Sequence, residues 1–229
     1  MKVELINHTP EPEKTVAAAA RLCYSPLGAS EIMDGLDELE TTKFLAHLVE
    51  VGHLSPLEHV SFTFAVEGVS RALSHQMVRH RMASYSQKSQ RYVSEENFDY
   101  VIPPSVEQNP AAREVFLKTV REIGEAYRQL AAVVPREDAR YLLPNACETK
   151  FVATYNARSL LNFFNLRCCN RAQWEIRRLA KEMRILVREA APGIFQKAGP
   201  NCEIYGICYE GPRSCGRAKV IKKRTDEIS

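Results

Sequence analysis

The stretch Gln76 to Tyr92, QMVRHRMASYSQKSQRY, carries Arg79, Arg81, Lys88 and Arg91 beside His80 and holds no Asp or Glu among its seventeen residues. A solvated face ordinarily mixes both signs of charge, and a core element would have to bury these cations without partners. A segment of this kind belongs at an open cleft that receives anions. Arginine offers phosphate or carboxylate a rigid fork of donors, and the hydroxyls of Ser84, Ser86 and Ser89 complete the hydrogen bonding. The core must be built from what lies on either side.

The flanks supply it. Glu13 to Cys23, EKTVAAAARLC, has high helix propensity behind Pro10 and Pro12. Phe44, Leu45, Leu48 and Val51 share one face of a second helix, which Gly52 ends. After a polar turn with His53, Ser55 and His59, Val60, Phe62, Phe64 and Val66 alternate with Ser61, Thr63, Ala65 and Glu67, the period of a strand with one buried face. Ser70 is placed to cap a helix on which Gln76, Arg79 and His80 would point one way, and a Ser/Gln-rich loop follows. Phe98 to Ile102 reads as a short strand stopped by Pro103-Pro104. Phe116, Val120, Ile123, Tyr127 and Leu130 form a continuous helical seam, and Pro135 opens a short helix through Leu143. Thr149 to Tyr155 reads as a strand. NARSLLNFFNLR, from Asn156, reads as a helix with Arg158, Asn162 and Asn165 on one stripe, and Ile176, Leu179, Met183 and Leu186 mark another helix. The fold class expected is α+β, a sheet flanked by long helices.

At 229 residues the chain suits one sizeable core, and a net charge of +3 is too small to define a partner. The longest small-apolar run, Val16 to Ala20, is far too short to span a bilayer, and cytoplasmic residence is expected. Seven cysteines, an odd number, read as mostly free or metal-bound thiols rather than disulfides. Residues 197–216 are rich in Gly, Pro and Cys; residues 217–229 are basic, and their last ten or so are expected to lack fixed structure. One domain over 1–216 and a tail over 217–229 is the expected organisation.

Neither G-x-x-x-x-G-K-[ST] nor G-x-G-x-x-G occurs, so arginines would have to hold any phosphate. Arg140, Arg158 and Arg167 form a second basic constellation, unless they serve as structural ion pairs with Glu137, Asp138 or Glu175. His53, His59, His75 and His80 lack a metal-ligand spacing, and Ser89 has no visible relay to make it a nucleophile. Cys202, Cys208 and Cys215 with the Cys168-Cys169 pair could supply four thiolates to zinc or be free thiols; no metal is assigned.

Four segments, GHLSPLEHVSFTF, QMVRHRMASYSQKSQRY, VPREDARYLLP and NARSLLNFFNLRCCNRAQWEI, together resemble the flavin-dependent thymidylate synthases, in order from about Gly52 to Ile176. The resemblance implies a homotetramer of α+β subunits with active sites where subunits meet. It implies methylation of dUMP to dTMP with methylene-tetrahydrofolate as carbon donor, FAD as hydride carrier and NADPH as reductant. Carried over, Ser55, Arg79, His80, Arg81, Asn156, Arg158 and Asn162 would hold FAD, with Gln87 near both ligands. Gln76, Arg79, Lys88 and Gln90 would line the dUMP site with Arg140; Ser89 and Arg91 would grip its phosphate. Arg167 would face the pyrimidine as the catalytic residue, polarising it so that no protein nucleophile is needed. Gln87 stands where some members carry Glu, Lys88 where an aliphatic residue is usual and Arg171 where some have His. The rival is a single-stranded nucleic-acid-binding module in which Tyr85 and Tyr92 stack bases between the cations of Arg79 to Arg91.

Overall fold

The computed structural model describes residues 1–222; residues 223–229, the end of the basic stretch, lie outside the described residues. Its elements alternate between helix and strand: β1 (Lys2–His8), α1 (Pro12–Leu22), α2 (Ala29–Asp34), α3 (Glu38–Glu50), β2 (Ser61–Ser70), α4 (Arg71–Met77), β3 (Ala83–Gln87), α5 (Pro110–Ala131), β4 (Glu148–Asn156), α6 (Ala157–Arg167), α7 (Trp174–Ala190), β5 (Ile207–Cys208) and β6 (Val220–Ile221). Short helical turns fill the connections, among them Ser55–His59, Arg136–Ala139 and Arg140–Leu142. Four strands form one sheet in the order β1-β2-β4-β3. Mixed helix and sheet is what the periodicities imply.

The chain divides into two interleaved compact units. The first comprises Met1–Lys2, Val66–Arg79 and Tyr85–Val152; the second comprises Val3–Ala65, His80–Ser84 and the chain from Ala153 onward. In the first, Leu73, Met77, Val120, Tyr127, Cys147 and Phe151 are buried. Only Val120, Gly124 and Tyr127 of the 22-residue α5 are buried, so Phe116, Ile123 and Leu130 of the expected seam stay partly exposed.

The second unit has an aromatic interior. The Phe62 ring meets Phe195 edge-on at 5.2 Å, Phe195 meets Phe164 at 6.1 Å, and Phe164 meets Phe163 at 5.7 Å. Phe62 and Phe64 are buried because β2 alternates, as its sequence implies, and α7 buries Ile176, Leu179, Met183 and Val187. Such edge-to-face pairs contribute about 0.5–1.5 kcal/mol each beyond the area they bury.

Several boundaries differ from expectation. The helix capped by Ser70, whose hydroxyl accepts from Leu73 N at 3.0 Å, ends at Met77. Arg79 and His80 therefore lie beyond it, and the shared face with Gln76 is not formed. The loop expected after them is largely strand β3, whose ladder with β4 continues as Lys88 N bonds Lys150 O at 3.0 Å. The expected strand at Phe98–Ile102 is reduced to a single bridge between Tyr100 and Cys147. Strand β1 was not anticipated. Part of the basic tail is ordered as well: Val220–Ile221, two β-branched residues, pair in parallel with Ile207–Cys208.

Candidate active site

In the first unit, Arg71 opens α4, where a cation opposes the helix dipole. Something else must hold it there. Its backbone N donates to Cys147 O and its Nη2 to Lys88 O, at 3.0 and 3.1 Å. Its Nε is buried with no hydrogen-bond partner. A pocket of about 300 Å³ is lined by Arg71, His75, Gln90, Arg140, Tyr141, Leu143, Pro144 and Asn145. Two guanidinium groups share it with no carboxylate among the lining residues. Burial first, and Arg140's charge to a smaller degree, press the Arg71 pKa below its ordinary value. A cavity in which a half-buried guanidinium keeps one N–H donor without an acceptor, beside a second guanidinium, has the chemistry that suits an anion.

The other basic residues of that unit are differently placed. Lys88 Nζ lies 3.0 Å from Glu95 Oε2, and Glu95 is only 2% exposed. Arg91 donates Nε to Glu137 Oε2 at 2.8 Å, with its guanidinium over the Tyr92 ring. Arg140 Nε donates to the Glu137 carbonyl at 3.1 Å, which aims the arginine of the pocket. Ser89 Oγ accepts from Arg91 N, and Gln87 Nε2 reaches Thr149 Oγ1 at 3.1 Å. Gln90 Nε2 donates to Cys147 Sγ at 3.5 Å, and Gln76 Nε2 turns back onto Ala72 O. Tyr85 spends its hydroxyl on Met77 O at 2.7 Å, while Tyr92 is exposed. Arg79 is exposed at the end of this unit's first long segment.

In the second unit the sequence-predicted residues gather around α6. Asn156 caps it, accepting from Ser159 N at 2.8 Å, and Ala157 N bonds Val60 O. Arg158 pairs with Glu58, in the helical turn that begins at Ser55. Asn162 and Arg81 are exposed, and Asn165, from the same stripe, accepts from Asn201 N at 3.1 Å. Arg167 is the last residue of α6, and its Nε donates to His80 Nε2 at 2.9 Å. The His80 ring stands edge-on to Phe163 at 4.9 Å. Burial, then the Arg167 charge, lowers the His80 pKa to about 4, so the imidazole is neutral and can accept. Burial also lowers the Arg167 pKa.

Residues 4–193 match the family model described as "Thymidylate synthase complementing protein". A protein of Geobacter sulfurreducens named flavin-dependent thymidylate synthase is 52% identical over 232 residues, the whole of both chains. Proteins of the same name from Clostridium tetani and Pyrococcus furiosus are 50% identical over 97% of this chain and 96% of the relative, and 40% identical over 100% and 98%. This chain belongs to the flavin-dependent thymidylate synthase family.

Within this family member, reasoning from the sequence passed over Arg71, which lines the pocket, and treated His75, which lines it too, only as a metal candidate. The signal for Arg71 was its place: a cation in the first turn behind a Ser cap is unfavourable there and calls for an anionic partner. His75 follows one turn later on the same helix face, four residues on.

Of the cysteines, Cys169, Cys202 and Cys208 line one cavity of about 570 Å³, and Asn170 Nδ2 reaches Cys215 Sγ at 3.9 Å. No three His, Cys, Asp or Glu side chains converge as a metal site among the described residues. No helix among those residues is long and apolar enough to cross a membrane.

Proposed function

We propose that this chain carries out the reductive methylation of dUMP to dTMP, taking the carbon from methylene-tetrahydrofolate. The observation that carries the reading is the carboxylate-free pocket with Arg71 and Arg140, which suits a nucleotide phosphate, in a chain whose full-length relatives bear the name flavin-dependent thymidylate synthase. Arg71 and Arg140 supply forked donors, and Gln90 adds an amide at the pocket wall. Arg91 and Lys88, predicted to serve the same ligand, are already neutralised by Glu137 and Glu95; dUMP would draw Arg91 off its half-exposed partner more readily than Lys88 off a buried one. Ser89 and Gln87 contribute hydrogen bonds, as do Gln76 and Arg79.

Arg167 faces the pyrimidine. Uracil C5 becomes nucleophilic as negative charge develops on the ring, and a half-buried guanidinium stabilises that charge more strongly than one in water. Two buried cysteines are poor candidates for a thiolate attack on the ring: burial pushes Cys147 and Cys168 each up to about 11.

FAD, reduced by NADPH, supplies the hydride when bound. Its expected holders fit an anionic dinucleotide in donor chemistry: Arg79 and Arg81 are exposed guanidiniums, and Ser55 and Asn162 are exposed hydrogen-bonding groups. Arg158 would share its charge with Glu58, while Asn156 keeps its cap and can offer only its amide N–H. His80, assigned to the cofactor by resemblance, has its Nε2 committed to Arg167. The assembly proposed is a homotetramer with active sites at subunit contacts, and light scattering of the purified protein measures it.

The decisive assay supplies purified protein with FAD, NADPH, methylene-tetrahydrofolate and dUMP. Formation of dTMP is expected, and none would overturn the reading. Arg167→Ala should lower turnover by more than about 100-fold, the scale of losing a transition-state donor, while the visible flavin spectrum persists.

A further inference from the structure

We infer that His75 is a further substrate-binding residue, joining Arg71 and Arg140 on the phosphate of dUMP. The inference rests on the reading that their pocket seats the phosphate, and it adds a group whose charge the ligand itself sets.

Three observations carry it. First, His75 stands on the same face of α4 as Arg71, one turn on, and both line the cavity of about 300 Å³ that Arg140 also lines. Second, the walls of that cavity are tied to one another before any ligand arrives. Arg71 N donates to Cys147 O and Ala72 N to Asn145 O, each at 3.0 Å, which fixes α4 against the segment that follows Arg140. Arg140 Nε is held by the Glu137 carbonyl at 3.1 Å, and Gln90 Nε2 donates to Cys147 Sγ at 3.5 Å. A phosphate entering here meets donors already in place, which lowers the ordering cost of binding. Third, the His75 ring is exposed and, among the described residues, engaged by no hydrogen bond or ion pair. Lys88 and Arg91, by contrast, are neutralised by Glu95 and Glu137.

The charged and titratable groups that share the cavity with His75 are Arg71 on its own helix and, on the facing segment, Arg140 and the Tyr141 phenol; no carboxylate lines it. Arg79, four positions on in sequence, lies past the end of α4 and does not line the cavity. Two guanidiniums disfavour a third cation beside them, whereas a phosphate dianion favours one. An imidazole meets both demands, because its charge changes near neutral pH. As dUMP seats, the His75 ring takes a proton from solvent and donates a charge-assisted hydrogen bond to a phosphate oxygen.

The test is calorimetry of dUMP binding to the FAD-loaded protein, run from about pH 6.5 to about pH 8.5 in buffers of different ionisation enthalpy, for the parent and for His75→Gln. The phosphate titrates too, so the difference between the two proteins isolates the imidazole. At about pH 7.5 the parent is expected to take up more protons on binding than His75→Gln does, by up to about one per site. His75→Gln should weaken dUMP about tenfold at about pH 6.5 and less than about threefold at about pH 8.5. Since His75 is exposed, its substitution leaves the fold intact. Equal proton uptake by the two proteins, or an affinity loss that does not vary with pH, overturns the role of His75; the pocket reading then stands so long as Arg71→Gln weakens dUMP. If Arg71→Gln binds dUMP as the parent does, the pocket is not the seat of the phosphate, and this inference falls with that reading.

Discussion

Each unit pairs some of its site cations with carboxylates and leaves an exception, and the two exceptions differ in kind. In the first, a pair of guanidiniums stands in a pocket with no carboxylate in its lining, one of them with a buried N–H that meets no acceptor, while the neighbouring Lys88 and Arg91 are already matched to carboxylates. In the second, Arg167 is held by a neutral base and keeps its full charge. A cation's partner thus reports its task. Acid partners suit residues that brace the fold, a donor without an acceptor suits the seat proposed for a ligand, and a neutral acceptor leaves a guanidinium's charge unquenched.

Removing the bracing pair should have the largest effect. Glu95→Ala leaves Lys88 without its buried counter-charge and is expected to cost about 3 kcal/mol of folding stability in denaturant titration. An unchanged midpoint would mean that the buried carboxylate braces nothing. Next comes the seat itself. Arg71→Gln should weaken dUMP binding about tenfold, the worth of a charge-assisted fork, with flavin content unaltered; equal losses of both ligands would break the distinction between the units.

The smallest effect concerns pH. His80 is lowered from 6.5 to about 4 in the folded chain, so on acidification the unfolded chain takes up its proton first. Its contribution to stability is at its best above pH 6.5, declines as pH falls, and is fully lost by about pH 4. The ring is partly solvated, which reduces the size of the effect. His80→Gln should flatten the fall of Tm across that window relative to the parent, and parallel curves would show that the imidazole does not titrate as its surroundings imply.

Much of this was legible in the chain. The alternation from Val60 to Val66, the cap at Ser70 and the seams of α5 and α7 are local signals, each repeated over several residues, and they mark elements correctly. Strand β1 was not, because its alternation is short: Lys2 and Glu4 are exposed between half-buried Val3 and Leu5, but the apolar Ile6 then falls on the exposed side and Asn7 follows it there. Strand β3 was hidden for a related reason. Ala83–Gln87, ASYSQ, is polar, and its extended form comes from pairing with β4 rather than from propensity. The overrun of α4 past Met77 arose because i, i+3, i+4 spacing fits Gln76, Arg79 and His80 equally well whether or not the backbone stays helical.

The candidate site divides along the same line. That arginines would have to hold any phosphate is legible in the sequence: a basic segment without acid, and neither of the two glycine-rich phosphate motifs. Which arginine meets a carboxylate, which keeps an N–H without an acceptor and which meets an imidazole is not, since Arg91 and Glu137 lie 46 residues apart and His80 and Arg167 lie 87 apart. Sequence records the kind of charge at each position. Only the folded chain sets the distance to the next charge and the amount of water between them, and electrostatic energy depends on both.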